Sequence, residues 1–367
     1  MMFFNFTICS VFVAYHKSGT KVGIYKSKNR ILIVFLEKIY YFCAMSEINV
    51  VIITKSEELP CMQCHDFFHS DVLFRVVEST PGQKPYMVIA YDGADIVGHM
   101  LVMLRRRGSL FPPYLFTQGR VYGEGEYASN CDMEAIFNMM LKHIVRKLRR
   151  DLCLYIEFSD LSSKMFGYGK FRVNGFFPVH WMEVHNSLHS MSPTRRLTSK
   201  TAKYIANAKR LGLKTVEAKT VGDVNKFLKI LRGHISFRIR RFIPDSKLFI
   251  ELIKQDCCSL YTTTYKGDVT SGCVCVYSNG NCYLWYLAAK HKYYMRRANA
   301  ITIWTAMKHA YAKGCWHMCF MDVGLPFKKD KFRDFILGFG GKPVGTYRWF
   351  RCSFNWINRL LSWIYRD

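Results

Sequence analysis

The chain has 367 residues, half of them hydrophobic and 16% aromatic, which is enough for two buried cores and excludes a disordered protein. No apolar run reaches the ~18 to 20 residues of a membrane-crossing helix, and the N-terminus places hydrophobic residues ahead of positive charge, the reverse of a secretory signal. The formal charge of +26 points to an anionic partner, whether RNA, an anionic lipid surface or a pyrophosphate-bearing substrate, without choosing among them.

In chain order, residues 1–44 carry two short apolar stretches, Phe3 to Tyr15 and Ile31 to Ala44. Met45 precedes polar Ser46-Glu47 and a strand-like Ile48 to Ile53, so it is read as the true start and residues 1–44 as an over-extension, with a short peripheral anchor as the alternative. Cys61-x2-Cys64-His65-x3-His69 has zinc-like spacing, but it adjoins Phe67-Phe68 and no second ligand pair follows. A structural helix start is preferred there, and no metal is assigned. With 14 cysteines and no export signal, the thiols are expected buried and reduced in a cytoplasm.

The first unit spans residues 45–192. Pro85 to Ala90 and Ile96 to Met103 form a hairpin about Tyr91-Asp92-Gly93. Pro112-Pro113 interrupts the chain, and Tyr114 to Thr117 resumes it. Asp132 caps a helix over Met133 to Arg150, whose apolar stripe is Ile136, Met140, Leu141, Ile144 and Leu148. A helical insertion covers 193–256, with Ser199 as a cap and Gly212 as a stop. The second unit, 257–350, opens as a meander of Ser259 to Tyr265, Thr270 to Tyr277 and Asn281 to Ala288, turned at Lys266-Gly267 and Asn279-Gly280. Asn299 is expected to cap the helix Ala300 to Lys313. The strand His317 to Val323 follows. In the tail, 351–367, Trp356, Ile357, Leu360, Leu361 and Ile364 share a helical face, suited either to a membrane interface or to docking on the core.

The two units repeat each other. Tyr91-Asp-Gly93 and Gly98 match Tyr265-Lys-Gly267 and Gly272 at the spacing Tyr-x-Gly-x4-Gly. Both continue through a helix and a buried strand into Lys-Phe-Arg (Lys170 to Arg172, Lys331 to Arg333), Gly-Phe (Gly175-Phe176, Gly338-Phe339) and Pro-Val (Pro178-Val179, Pro343-Val344). Several matches in one order indicate a duplicated α/β unit with a ligand-binding cleft between the copies.

This duplicated order resembles tandem GNAT acyltransferase domains, and in particular the FemAB-like aminoacyltransferases that build peptidoglycan cross-bridges. Gly119-Arg120-Val121-Tyr122 is similar to that family's Gly-Pro-Val, with Arg120 in the proline's place. Lys200 to Leu213 resembles its basic helix, and Asp322-Val323-Gly324 through Phe339-Gly340-Gly341 its Asp-x-Gly strand end and terminal Phe-Gly-Gly. The resemblance covers about residues 60–350. It implies an α/β (α+β) fold of duplicated GNAT-like domains, each a mixed, mostly antiparallel sheet flanked by helices, with the helical insertion and a C-terminal amphipathic helix. It also implies a cytoplasmic enzyme, at or near the inner face of the membrane, with no tightly bound cofactor.

Acyl transfer of this kind needs a polarised carbonyl, a deprotonated amine and a held leaving group, but no nucleophilic side chain. In such a fold the strand Tyr283 to Ala288 splays from its neighbour and exposes backbone N–H groups to the carbonyl. Asp322 is the candidate proton acceptor, with turn capping as the alternative, and Tyr286 the candidate for the intermediate or leaving oxygen. Lys290, Lys292, Arg296 and Arg297 are candidates for donor phosphates. Arg120, Glu124, Glu157, Lys328, Lys331 and Arg333 are candidates for the acceptor side, with Glu157 ending its strand as the counterpart of Asp322. The segment 290–299, where a coenzyme A pyrophosphate loop belongs, holds no glycine, which favours aminoacyl-tRNA over acyl-CoA as donor. The acceptor would be an anionic, lipid- or nucleotide-linked saccharide. A non-catalytic basic RNA-binding protein and a peripheral membrane interaction protein are the competing readings.

Overall fold

The computed structural model describes residues 48–108, 115–161, 165–235, 242–290 and 295–365. The expectations for residues 1–44, Pro112-Pro113 and Lys292 lie outside them.

The repeat is written into the strands. In the first half β1 (Ile48–Ile53), β2 (Gln83–Asp92), β3 (Asp95–Gly108), β4 (Leu115–Tyr122), the short β5 (Glu126–Tyr127), β6 (Tyr155–Ser159) and β7 (Phe177–Ser187) follow one another. In the second, β8 (Lys214–Glu217), β9 (Cys258–Tyr265), β10 (Asp268–Ser278), β11 (Asn281–Ala289), β12 (His317–Phe320) and β13 (Lys342–Cys352) do the same. The repeated glycines have two separate reasons. Gly93 and Gly267 take φ of +61° and +84° in the hairpin turns, where a Cβ is strained. Gly98 and Gly272 leave room for a neighbour, since a Cβ there would lie 2.8 Å from the Tyr127 ring and 2.6 Å from the Phe227 ring.

Helices cover both faces: α1 (Asp71–Glu78), α2 (Met133–Arg150), α3 (Tyr168–Val173), α4 (Pro193–Arg196), α5 (Ser199–Arg210), α6 (Val221–Ile235), α7 (Ser246–Leu252), α8 (Met295–Ala312), α9 (Lys331–Leu337) and α10 (Asn355–Ile364). The α2 range and its Asp132 cap agree with the pattern in the sequence; the Asp132 carboxylate accepts from the Ala135 N–H at 3.0 Å. Two caps are corrected. Thr198, not Ser199, caps α5 by accepting from the Thr201 N–H. Asn299 caps nothing, because α8 starts at Met295; its side-chain Oδ1 instead accepts from the Ser271 hydroxyl at 2.8 Å inside the core. The 193–256 segment is not wholly helical, since β8 pairs with β9 and extends the sheet.

Among the described residues the strands form one sheet in the order β1-β2-β3-β4-β6-β13-β7-β12-β11-β10-β9-β8, with β5 beside β3. The order is a palindrome with its last strands exchanged. β13, the final strand of the second half, pairs with β6 of the first; β7, the final strand of the first half, pairs with β12 of the second. β7 and β13 also pair with each other along Phe177–His185 and Lys342–Phe350. The described residues therefore form one compact unit. One sheet face is covered by α2 and α3 in the first half and by α5, α8 and α9 in the second. The other face carries α1, α6 and α7. Between these apolar caps, the middle of that second face is polar. No helix among the described residues is long and apolar enough to cross a membrane.

Candidate active site

The two halves differ where their parallel strands meet. In the first, β4 and β6 stay paired to the strand ends, Gln118 opposite Tyr155 through Tyr122 opposite Ser159, and the Gly123 N–H continues to the Ser159 carbonyl at 2.7 Å. In the second, β11 and β12 pair only from Asn281/His317 to Leu284/Phe320, while β11 runs on to Ala289 along β10. The register on β10 slips at this point: Val274 faces Tyr286 and Cys275 faces Leu284, leaving Trp285 as a bulge. The bulge turns Trp285 and Tyr286 to the same side and leaves the β11 edge beyond Leu284 without a strand partner among the described residues.

Trp285 reaches into the first half, donating from Nε1 to the Tyr122 hydroxyl at 2.8 Å. The Arg120 guanidinium lies 4.4 Å over the Tyr122 ring and is ion-paired with Glu157. Glu157 also accepts from Gln118 Nε2 at 2.6 Å and from Arg348 Nη1 at 3.2 Å. Arg348, from the exchanged strand β13, donates to the Met321 carbonyl at 3.1 Å, lies 3.6 Å from the Asp322 carboxylate and stacks 3.8 Å over Trp181 of β7. Nε of Arg348 and Nε1 of Trp181 are buried donors without a hydrogen-bond partner among the described residues.

The charges here nearly balance. Arg120 and Arg348 face Glu157 and Asp322. A third carboxyl, Glu183 on β7, is pushed well up by burial, against the pull of the Arg348 charge, and favours its protonated form. Its neighbour His185, 3.0 Å away, is lowered by burial, so both shifts favour the uncharged forms of this hydrogen-bonded pair. Burial pushes the Tyr122 hydroxyl up, but the Arg120 and Arg105 charges and the Trp285 donor outweigh it and bring it to about 8. Glu124 is raised to about 7 by burial and by the Asp160 carboxylate.

The residues singled out in the sequence fall into three groups. Asp322, Arg120 and Glu157 share one network, with Tyr286 at its edge. Glu157 sits in the middle of β6, not at its end, because that strand begins only at Tyr155. Tyr286 packs on Phe249 at 5.1 Å and on Trp285 at 5.2 Å, and burial raises its hydroxyl. Lys290 lies at the far end of β11, 3.6 Å from Asp268, and Arg297 is on α8; the Arg296 side chain is outside the described residues. Lys328 and Lys331 are exposed, whereas Arg333 donates to the Leu325 and Lys328 carbonyls, both at 2.8 Å, and fastens that loop. Sequence reasoning missed Arg348, Trp181, Glu183 and Tyr122. Only Tyr122 had a local signal, standing next but one to Arg120 on a strand.

Comparison with known proteins fits this geometry. A model of the acetyltransferase (GNAT) domain matches residues 238–329, the part that holds the bulge and the open strand edge. Residues 238–329 carry a GNAT acyltransferase domain. The tandem arrangement is shared with solved structures. FemX aligns over 87% of this chain and 100% of its own at 10% identity and a TM-score of 0.54. L-PGS from Bacillus licheniformis aligns over 83% and 100% at 10% identity and 0.54. A tandem GNAT protein from the clavulanic acid biosynthesis pathway aligns over 84% and 99% at 10% identity and 0.52. At these identities the likeness establishes the fold alone, a tandem of GNAT-like units. A search of curated protein sequences finds no match. Acyl transfer from a co-substrate is the general chemistry of such a domain.

Proposed function

We propose that the protein moves an acyl or aminoacyl group to an amine or hydroxyl of an anionic acceptor by direct attack beside β11. The observation that carries this is the Trp285 bulge, which opens one strand edge next to a charged cluster built from both halves. The donor carbonyl would lie along the unpaired N–H groups past Leu284, which stabilise the oxyanion as it forms. A bond from the acceptor nitrogen or oxygen to the acyl carbon forms, the bond to the donor's sulfur or ester oxygen breaks, and the acceptor's proton ends on the leaving group. Asp322 is the residue proposed to orient the attacking group and take its proton, and the Tyr286 hydroxyl to face the leaving atom. The spare donors of Arg348 and Trp181 suit an anionic acceptor. Donor-phosphate binding is assigned to Lys290, at the end of β11, and Arg297, on α8, with Lys292 and Arg296 of the same stretch of sequence.

Acyl-CoA and aminoacyl-tRNA are the two donor arms of the test. Each is incubated with amine-bearing saccharide and lipid-linked acceptors, and products are read by mass spectrometry. Asp322→Asn and Tyr286→Phe should each lower turnover by about 100-fold without changing the circular dichroism spectrum. Full activity in both removes the site assignment.

A membrane-proximal acceptor is favoured by α10. Its Ile357 and Leu361 face the protein, while Trp356 and Trp363 are 69% and 68% exposed beside Leu360, Ile364 and the cationic Arg359. Indole rings and arginine on one short helix suit an anionic lipid interface. Trp356→Ala with Trp363→Ala should release the protein from anionic vesicles; unchanged sedimentation with vesicles refutes this contact.

A further inference from the structure

The zinc-like spacing in the sequence does not gather its own residues. Cys61 and His65 point to the exposed side of their loop, and Nδ1 of His69 accepts from the Leu101 N–H at 3.1 Å. The Nε2 of His69 must then carry a hydrogen and cannot ligate. Among the described residues, Cys64 is the member of that motif whose ligand atom lies within 4.8 Å of two other ligand-type side chains, and they come from the sheet. His99 on β3 and Glu126 on β5 stand opposite each other in register. Cys64 Sγ is 3.8 Å from His99 Nε2, which is 3.1 Å from Glu126 Oε2, and the three ligand atoms lie within 4.8 Å of one another.

We propose that Cys64, His99 and Glu126 form a binding site for a zinc-class divalent cation. Zinc–ligand bonds of about 2.3 Å to sulfur and 2.0–2.2 Å to nitrogen and oxygen make tetrahedral edges of about 3.6 Å from S to N and 3.3 Å from N to O. The S-to-N separation of 3.8 Å and the N-to-O separation of 3.1 Å each stand within a few tenths of an ångström of those edges. The carboxylate is already aimed: Glu126 Oε1 accepts from the backbone N–H groups of His65 at 2.9 Å and Asp66 at 2.6 Å, and Oε2 faces His99. His65 N–H also reaches Oε2 at 3.2 Å. Such outer hydrogen bonds orient a ligating carboxylate. Charge balances as well, because a thiolate and a carboxylate with a neutral imidazole cancel a divalent ion. His99 is buried while Cys64 and Glu126 are partly exposed, which leaves a fourth position for water and a path for the ion. The mixed sulfur, nitrogen and oxygen set suits zinc rather than calcium or magnesium. A bound ion would fasten the 59–66 loop to the β3–β5 edge, next to the turn that holds Glu124.

The test uses the full chain without a histidine tag. Metal content is measured after purification, and the stripped protein is titrated with cobalt(II). Expected are one zinc per chain and, with cobalt, a thiolate charge-transfer band with strong visible bands of a tetrahedral ion. Cys64→Ser should abolish the charge-transfer band and weaken binding at least 10-fold. Cys61→Ser and Cys131→Ser should leave both unchanged. No bound metal and no band in the natural protein overturns the proposal, as does a band that survives Cys64→Ser; either result leaves a hydrogen-bonded His–Glu brace with a bystander thiol.

Discussion

Removing Glu157 tests whether the cluster shared by the two halves is sealed from water. The residue is 7% exposed, and its carboxylate holds Arg120, Arg348 and Gln118 together. In Glu157→Ala, Arg348 keeps Asp322 at 3.6 Å, but Arg120, itself 5% exposed, loses its counter-ion. The contact of Arg120 with the Tyr122 ring does not replace a carboxylate. Orphaning one buried charge costs about 3 to 5 kcal/mol, and the remaining Asp322 partner for Arg348 sets the expectation at about 3. At roughly 2 °C per kcal/mol for a chain of this size, the melting temperature falls by roughly 6 °C. Arg120→Met in the same chain should recover part of the loss, since no buried charge is then left unpaired, with a coupling of about 1 to 3 kcal/mol. The assay is urea unfolding of the natural protein, both single variants and the double. A cost below about 1 kcal/mol with no coupling refutes a sealed, mutually dependent cluster and points to a hydrated one.

The Glu124 carboxyl, raised to about 7 from 4.5, makes a pH prediction. Stability from a raised carboxyl is fully present below pH 4.5 and is lost as the pH rises through 7, so Glu124→Gln should flatten that decline and gain about 1 to 3 kcal/mol relative to the natural chain at pH 8. Identical urea midpoints for the two proteins across pH 4.5 to 8 would contradict it. The strand exchange predicts one unfolding transition for both halves, because neither completes its sheet without the other's last strand. Denaturant curves by tryptophan fluorescence and far-ultraviolet circular dichroism should coincide; two resolved steps would show the halves to be independent.

Much of this protein is legible locally. The α2 helix and its Asp132 cap, the hairpin turns at Gly93 and Gly267 and the meander of β9, β10 and β11 each depend on residues close in sequence. The cap at Asn299 was misread because its amide serves a core contact with Ser271, a residue far away along the chain.

The duplication itself was visible, since two copies of one unit must repeat their turn glycines, close-packed glycines and strand ends. The partner of each final strand was not, because Pro178-Val179 and Pro343-Val344 look alike and pairing between β6 and β13 is a non-local choice. That choice delivers Arg348 to Glu157 and Asp322, and Trp181 and Glu183 to the middle of the polar face. Residues of ordinary appearance become a charged cluster only when two distant segments share a sheet, where low exposure makes each charge depend on its partner. The bulge at Trp285 has the same origin: it is a mismatch in count between β10 and β11, which no single strand's sequence records. Local chemistry determined the pieces and their repetition, and long-range strand pairing decided where the chemistry is concentrated.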